Sequence, residues 1–548
     1  MSKRHPIHRW IIFGAAFLIF LWAMLYLPHL RNDPKWFMDE TSALISAKSL
    51  VSGTPSYVAM WNTFYHPVAP YQPVYLFLTG IFAQGDIWGA RFFNALLGLA
   101  IALLLFLAGR KIMGIRGAFF AAVLFLGYDQ VVLHFRSVFP HNSVALGWIF
   151  AFLALLQKKY WRAGIGLAIG AMCHPMFIYG IIAALVARWK HPRSWFPIVA
   201  PSAIYLLISL TLIYWKFGGW LLDDLQSLFL CYHENSQRHT WAFWKNFYQF
   251  FSRDWFHLGF LICWAWCVWK RKYALAGFSA VVIALLIQNR NNLTTFYYQA
   301  IAVFPILCVV WGSFLAKVEK VWRTFLNEKS RTILDYSKKI SSHLSFPLLA
   351  GIQRNKGRVY LQTYFWDLTL FIFGILFCIL PTGILSLKAN LDQRSLHGMG
   401  LAAQDAESAA QWVNDNTTPE DFVVAETNIG WLLHAKTARF MQAIAYEGKP
   451  FLIFRKSMPP ERFFFDCSIE KAKYIVVCGI DVDWEPAQGE WKKFFEGSRG
   501  KFLSVAQKTP TYSIFLNSQW IDGKLENFMQ KMRENQEQLH HFQQHIKR

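Results

Sequence analysis

The sequence has few charged residues. Asp, Glu, Lys and Arg together make up 16% of its 548 residues, whereas soluble domains carry about 25%. Hydrophobic residues make up 55% of the chain and aromatic residues 18%. A chain of this composition lacks the charged groups that would hydrate its whole surface, so we expect lipid to be the solvent for much of it. The aromatic excess agrees, because Trp and Tyr favour the headgroup region of a bilayer.

The sequence also lacks the motifs of several soluble functions. The eight cysteines show no spacing typical of metal ligands, and the C-terminal part contains no Gly-rich phosphate-binding motif. The formal net charge is +22, but the basic residues lie in short clusters between apolar runs. This placement indicates contact with anionic lipid headgroups and argues against nucleic acid as a partner.

Apolar runs predict a mainly α-helical protein, a polytopic membrane bundle of about eleven transmembrane helices. Two of the runs flank His174-Pro175 and form either two short spans or one kinked element. A further apolar piece at 71–82 predicts a helix that lies in or dips into the outer membrane interface. The runs are 10–28, 91–108, 117–133, 142–156, 162–173, 175–188, 195–215, 255–269, 274–288, 294–315 and 364–387.

Clusters of Lys and Arg set the predicted orientation. They lie near the N-terminus and in alternate loops, and the positive-inside rule puts those segments in the cytoplasm. With eleven spans, the C-terminus then lies outside. We expect a bacterial inner membrane, because the chain is compact and lacks an evident retention signal. The last basic segment, within 316–363, is expected to be a long cytoplasmic loop along the membrane surface.

The composition changes at about residue 389, where a small extracytoplasmic α/β domain is predicted. We divide the chain into a membrane domain (1–388), an α/β domain (389–523) and a polar tail (524–548). The predicted elements of the α/β domain are an amphipathic helix at 402–415 and strands at 422–425, 474–477, 501–505 and 512–516.

Two adjacent carboxylates, Asp39 and Glu40, follow the first predicted span. Asp39 could cap a helix that starts at Glu40, since acids suit a first helical turn. A carboxylate at the outer membrane face could equally serve as a general base. Other polar features lie at the predicted outer ends of helices and favour chemistry there: the segment Tyr65-His66-Pro67, Arg91 at the start of the next helix, the segment from Arg136 to Pro140-His141, and His174-Pro175.

The order of these features resembles the multi-spanning glycosyltransferases of the GT-C superfamily. The nearest relatives look like the protein O-mannosyltransferases and the aminoarabinose transferases that modify lipid A. In those families the first outer loop carries an acidic pair, then a His-Pro element, then an Arg that opens the second helix. The resemblance covers residues 1–190. It implies an inverting enzyme that moves a sugar from a polyprenyl-phosphate donor to a protein, lipid or glycan acceptor on the outer membrane face.

The resemblance also implies roles for individual residues. Asp39 matches the base that takes the proton from the acceptor hydroxyl. Glu40 either orients the site or raises the pKa of its neighbour by like-charge repulsion. The leaving phosphate needs cationic partners, and Arg binds phosphate through paired hydrogen bonds. The candidate substrate-binding residues are His66, Arg91, Arg136, His141, His174, Arg253 and Arg290, although each Arg could instead snorkel to lipid headgroups.

One position departs from the family pattern and bears on metal binding. Relatives often carry a second acid where this chain has His141, which weakens the inference of a carboxylate-bridged metal. The sequence establishes no cofactor for the implied reaction. Asp39, His66, His134 and His141 could still collect a divalent metal.

Two other functions fit parts of the sequence. A transporter or flippase of a lipid-linked glycan would carry ionisable residues within its spans, and few occur in the predicted runs. A membrane scaffold whose α/β domain binds a partner would need no arrangement of Asp39, His66 and the arginines.

Overall fold

Helices dominate the computed structural model of the chain. The structure describes residues 5–36, 38–52, 73–84, 86–217, 240–252, 255–288, 300–341, 402–448, 459–478, 502–508 and 512–517. Its first fourteen α-helices are α1 (His5–Tyr26), α2 (Met38–Ser52), α3 (Pro73–Ala83), α4 (Ile87–Leu107), α5 (Arg110–Gly127), α6 (Asp129–Phe135), α7 (Pro140–Leu156), α8 (Tyr160–Ala171), α9 (Phe177–Ala187), α10 (Trp195–Phe217), α11 (Thr240–Phe251), α12 (Trp255–Trp269), α13 (Tyr273–Gln288) and α14 (Phe304–Ser341).

Several of these helices can cross a bilayer. By length and composition, three described helical segments qualify, at Ile87–Leu107, Pro192–Leu212 and Ile301–Val321, and α5 with α6 qualifies as a span bent by 64°. Other apolar helices, such as Pro140–Leu156, are shorter. Where they are described, the first ten predicted runs fall on helices, although the run 117–133 covers both α5 and α6. Residues 294–299 and the predicted run 364–387 lie outside the described residues. The predicted class, a helical membrane bundle with a small α/β domain, is confirmed.

Helix α3 is too short to span. Its 11 residues extend about 16 Å, and the hydrocarbon core is about 30 Å thick. One of its faces packs inward through Tyr75, Leu76 and Thr79. The opposite face exposes an apolar stripe at helical spacing. This pattern agrees with the predicted interfacial helix; the stripe consists of Val74, Phe77, Leu78, Ile81 and Phe82.

Helices α7 and α8 approach each other through glycines. A Cβ at Gly147 would lie 2.6 Å from the Gly166 carbonyl oxygen, and a Cβ at Gly166 would lie 2.6 Å from the Ala151 backbone nitrogen. Small residues at such crossings let helix backbones approach in a membrane, where packing drives association. The Gly-rich segment 163–170 of the sequence thus serves helix packing.

Helix α14 extends further than the sequence predicted. The sequence suggested that a span ends near residue 315 and that a basic loop follows, but the helix continues to Ser341. Residues 317–341 contain no Gly or Pro, the two residues that interrupt helices most strongly. An ion pair between Arg116 and Glu319 ties the extension to α5.

The C-terminal part forms a five-stranded mixed sheet of β1 (Phe422–Ala425), β2 (Lys436–Ala438), β3 (Tyr474–Cys478), β4 (Phe502–Lys508) and β5 (Tyr512–Asn517). The strand order is β2-β1-β3-β5-β4. Strand β1 pairs in parallel with β2 and β3, and β5 is antiparallel to β3 and β4. All four predicted strands and the predicted helix are present, whereas β2 was not predicted. The α-helices described in this part are α15 (Ala403–Asp415), α16 (Thr427–Gly430) and α17 (Phe440–Tyr446).

Substituting Gly166 by Ala should destabilise the bundle. The new methyl group would meet backbone atoms of Ala151 and Gly147 at 2.6 and 2.8 Å, and backbone cannot move aside cheaply. The matched control is Gly277→Ala in α13, where a Cβ would meet nothing within 4 Å and Ala favours the helix by about 1 kcal/mol. Thermal unfolding in detergent should show a lower melting temperature for Gly166→Ala alone. Equal melting temperatures for the two variants would contradict the close crossing.

The α/β domain should depend on pH through Asp421. Burial alone would raise the pKa of Asp421, but hydrogen bonds from Lys473 and from the Thr418 N–H outweigh it and lower the pKa. An acid whose pKa is lower in the folded state than in the unfolded state stabilises the fold at pH values above its unfolded-state pKa, which is about 3.9 for Asp. This contribution is lost as the pH falls through the folded-state pKa. Asp421→Asn should therefore lower the melting temperature at pH 7, and the difference from wild type should shrink in acid.

The neighbouring acid supplies the control for this pH series. Glu420 pairs with Lys436 but its side chain is 84% exposed, and exposed pairs contribute little. Glu420→Gln should therefore follow the wild-type melting curve at every pH. A constant difference between Asp421→Asn and wild type from pH 7 to pH 3 would contradict the assignment.

Candidate active site at the first loop

A buried ion pair connects the first turn of α2 to the first turns of α4. Arg91 Nε donates to Glu40 Oε1 and Arg91 NH2 to Glu40 Oε2, both at 2.7 Å, and neither side chain is exposed. The Val138 N–H also donates to Glu40 Oε1, at 3.0 Å. Arg91 NH1 donates to the carbonyl oxygens of Leu30 and Arg31. One carboxylate and one guanidinium thus join α2, α4, the chain after α1 and the segment between α6 and α7.

A second buried pair lies between Arg136 and Asp33. Arg136 NH2 is 3.1 Å from Asp33 Oδ2, and both side chains are almost fully buried. Arg136 also donates to the carbonyl oxygens of Leu25 and Pro28. Arg136 therefore holds the end of α1 against the segment between α6 and α7, the same segment that reaches Glu40 through Val138.

Amides extend this polar network into the bundle. Asn142 Nδ2 donates to Asn94 Oδ1 at 2.9 Å and to the carbonyl oxygens of His134 and Ser137. The Tyr75 hydroxyl donates to the same Asn94 oxygen at 3.1 Å. All of these side chains are buried. A buried polar group is costly unless it is hydrogen-bonded, so the network fixes α3, α4 and α7 relative to one another.

Two histidines meet beside this network. The ring centroids of His141 and His174 are 4.4 Å apart, although the residues come from the start of α7 and from the turn between α8 and α9. His174 Nδ1 accepts a hydrogen bond from the Met176 N–H, at 3.1 Å. The structure thus brings two sequence-predicted binding residues together at the end of the bundle that carries Glu40.

The α/β domain packs on the same loop. The ring centroids of Trp36 and Trp431 are 5.2 Å apart, and Arg31 NH2 is 2.7 Å from Glu407 Oε1. Between α2, α3 and this domain lies a cavity of about 150 Å³. Lys48 lines it, donates to the Trp431 carbonyl oxygen at 3.5 Å, and has a pKa lowered by burial.

The other predicted site residues are Asp39, His66, Arg253 and Arg290. Asp39 lies in the first turn of α2, one residue before Glu40, while its side chain lies outside the described part of the structure, as do His66, Arg253 and Arg290. The roles of these four residues stay predictions.

A metal site formed by Asp39, His66, His134 and His141 is a further prediction from the sequence. Within the side chains that the structure describes, no group of three or more His, Cys, Asp or Glu residues is placed to hold a metal ion. Two members of the proposed set, His66 and the Asp39 side chain, are not among those side chains. The metal hypothesis therefore rests on the sequence alone.

Sequence reasoning missed two parts of this site. Asp33 was not predicted, although it stands in the stretch Arg31-Asn32-Asp33-Pro34 directly after the first span. The amides Asn94 and Asn142 were not predicted either. A signal existed for both: polar residues at the ends of apolar runs must find partners in a membrane.

The fold is similar to that of a solved protein, ArnT from Cupriavidus metallidurans. ArnT from Cupriavidus metallidurans in the apo state aligns with 93% of this chain and 98% of its own, with a TM-score of 0.58 and 14% identity. The same protein bound to undecaprenyl phosphate aligns with 92% of this chain and 97% of its own, with a TM-score of 0.56 and 13% identity. No protein-family model and no curated sequence matches the chain. The resemblance to the GT-C superfamily is confirmed at the level of the fold.

Substituting Glu40 by Gln should destabilise the protein strongly. The change leaves the buried Arg91 without its counter-charge, and breaking a buried pair in this way costs about 3–5 kcal/mol. The double variant Glu40→Leu with Arg91→Met removes both charges and should recover much of the loss. Thermal unfolding of the purified chain measures both.

The partly exposed pair between Arg31 in this loop and Glu407 in α15 provides the control. Glu407→Gln removes the partner of Arg31, whose side chain is 51% exposed, and should leave the melting temperature near that of wild type. If the Glu40→Gln protein melted like the Glu407→Gln protein, the anchoring role of the buried pair would be wrong.

Proposed function

We propose that the protein is a glycosyltransferase that moves a sugar from a polyprenyl-phosphate donor to an acceptor on the outer face of a membrane. The observation that carries the proposal is the Glu40–Arg91 pair, which anchors the first turn of α2 in a fully buried setting. Asp39 stands in that turn, directly before Glu40. The fold shared with ArnT supports the same reaction class.

Asp39 is the proposed base. Displacement at the anomeric carbon requires removal of the proton from the acceptor hydroxyl, and a carboxylate suits that task. A single displacement inverts the anomeric centre. The leaving group is a phosphate, already a stable anion, so it needs cations and hydrogen-bond donors more than it needs a general acid.

The contacts of Glu40 favour an orienting role over the other role considered for it. Both carboxylate oxygens accept hydrogen bonds from Arg91, and one of them also accepts from Val138. A carboxylate whose charge is neutralised in this way repels a neighbouring carboxylate weakly. Glu40 therefore fixes the position of Asp39 in the proposed site.

The contacts of Arg91 and Arg136 assign these two candidate cations a positioning role. Arg91 and Arg136 are fully buried, each is paired with a carboxylate, and each donates to backbone carbonyl oxygens, which favours positioning. The phosphate is then proposed to contact the paired rings of His141 and His174, together with His66, Arg253 and Arg290. The acceptor is a protein, lipid or glycan, and the proposed location is a bacterial inner membrane with the α/β domain outside.

Substituting Asp39 by Asn should abolish sugar transfer. Loss of a general base lowers the rate by about 10²–10⁴-fold, and Asn keeps the size of the side chain. The measurement is release of polyprenyl phosphate by purified protein in detergent, across a panel of polyprenyl-phosphate-linked hexoses and pentoses with candidate acceptors. Asp86→Asn, which alters an acid that is half exposed, is the matched control and should retain activity.

The detergent assay also separates the proposed enzyme from a transporter. Transport cannot be scored without two compartments, whereas transfer can. Donor turnover by wild type that persists in Asp39→Asn would remove Asp39 as the base. A wild-type protein that moves a lipid-linked glycan between leaflets of a vesicle, yet turns over no donor, would replace the enzyme with a flippase.

A further inference from the structure

The parallel strands of the α/β domain end at one edge of the sheet. Glu426, Thr427 and Asn428 follow β1, and Arg439 follows β2. Since β1 and β2 are parallel, these residues share the carboxyl edge. In open α/β sheets, this edge is where ligands bind. Here helix α2 of the membrane domain contacts it.

The contact is a small cluster of buried hydroxyl and amide groups. The Thr41 hydroxyl donates to Asn428 Oδ1 at 2.8 Å, and its oxygen is 3.0 Å from Thr427 Oγ1. A hydroxyl has a single proton to donate and two lone pairs, so the Thr427 hydroxyl donates back to Thr41. All three side chains are almost completely buried.

The turn that carries Thr427 and Asn428 is itself held in place. Arg439 Nε and NH2 lie 2.8 and 2.7 Å from Glu426 Oε2, and both side chains are buried. The Gly430 N–H donates to the Glu426 carbonyl oxygen at 2.8 Å. Residues that position a site work well when their own geometry is fixed by such bonds.

Helix α2 is therefore held from two directions at its first turn. Glu40 bonds to Arg91 in the membrane bundle, and the next residue, Thr41, bonds to Asn428 in the α/β domain. Successive residues of an α-helix point about 100° apart, so the two anchors fix both the height and the rotation of the helix. Asp39 directly precedes Glu40, the first of the two anchors.

We propose that Thr41, Thr427 and Asn428 are positioning residues for the transfer reaction, and that the α/β domain sets the rotation of α2 through them. This inference rests on the proposed function, in which Asp39 is the base. A misplacement of about 1 Å far from the chemistry can lower a rate about 10²-fold. A hydrogen bond between buried neutral groups is strong enough to prevent such a shift without deciding whether the chain folds.

The test compares Thr41→Val with Thr41→Ser and Asn428→Ala in the full-length protein. Val keeps the shape of Thr but removes the hydroxyl, whereas Ser keeps the hydroxyl. With the donor that wild type turns over, Thr41→Val and Asn428→Ala should lower kcat by about 10- to 100-fold with little change in the KM for donor. Thr41→Ser should stay close to wild type, and the double variant Thr41→Val with Asn428→Ala should be no slower than the worse single variant.

Amide hydrogen exchange gives a readout that does not depend on activity. Peptides covering 38–47 should exchange faster in Thr41→Val and Asn428→Ala than in wild type. Lys436→Ala, which removes an exposed ion pair on β2 of the same domain, is the control for a general effect of mutating the domain and should change neither exchange in α2 nor kcat.

The outcomes separate the two proposals. If Thr41→Val has the kcat of wild type while Asp39→Asn is inactive, the positioning role is overturned. The proposed function is then unaffected. Unchanged exchange in α2 overturns it as well. Full activity in Asp39→Asn instead removes the proposed base, whatever Thr41→Val does. A fall in melting temperature with unchanged kcat would show that the cluster serves stability alone.

Discussion

The buried pair between Glu40 and Arg91 is the interaction on which the rest of the site depends. Two charges of opposite sign lie where no water reaches them. The carboxylate accepts hydrogen bonds on both oxygens, and the guanidinium donates to it from both Nε and NH2. Placing such a pair inside a protein is costly unless every group is satisfied. Four separate stretches of chain supply the partners, so those stretches can adopt only one arrangement relative to each other.

That constraint spreads through the neighbouring polar groups. Val138 belongs to the segment that Asn142 also bonds, and Asn142 reaches Asn94, three residues after Arg91. Asp33 and Arg136 repeat the pattern at the end of α1. The geometry of this end of the bundle therefore comes from polar contacts among loops and helix starts.

The sequence predicted the regular elements well and their polar contacts poorly. Apolar runs located the helices because hydropathy is a local property, and four strands were found because each is a short, β-branched or aromatic run. Strand β2 was missed: Lys436-Thr437-Ala438 has no such signature and exists because β1 offers it a parallel partner. The extent of α14 was misjudged because charge was taken as a sign of a loop, although Lys and Glu are good helix formers.

The same difference holds for the candidate site, where individual residues were predicted but their contacts were not. The residue types of Glu40, Arg91, Arg136 and His141 marked them as candidates, and the structure brings them to one end of the bundle. What no local pattern contained was the pairing: that Arg91 would meet Glu40, and that Arg136 would meet Asp33, 103 residues earlier in the sequence. Such pairings depend on how helices separated by many residues pack, which composition and periodicity do not encode.

The contact between Thr41 and Asn428 joins residues 387 positions apart. At ribosomal rates, the second residue is made about 20 to 80 s after the first. All fourteen helices that the structure describes before the α/β domain have been synthesised by then. The first turn of α2 therefore lacks its second anchor until residue 428 has been synthesised, and a membrane-inserted product truncated before that residue would never acquire it.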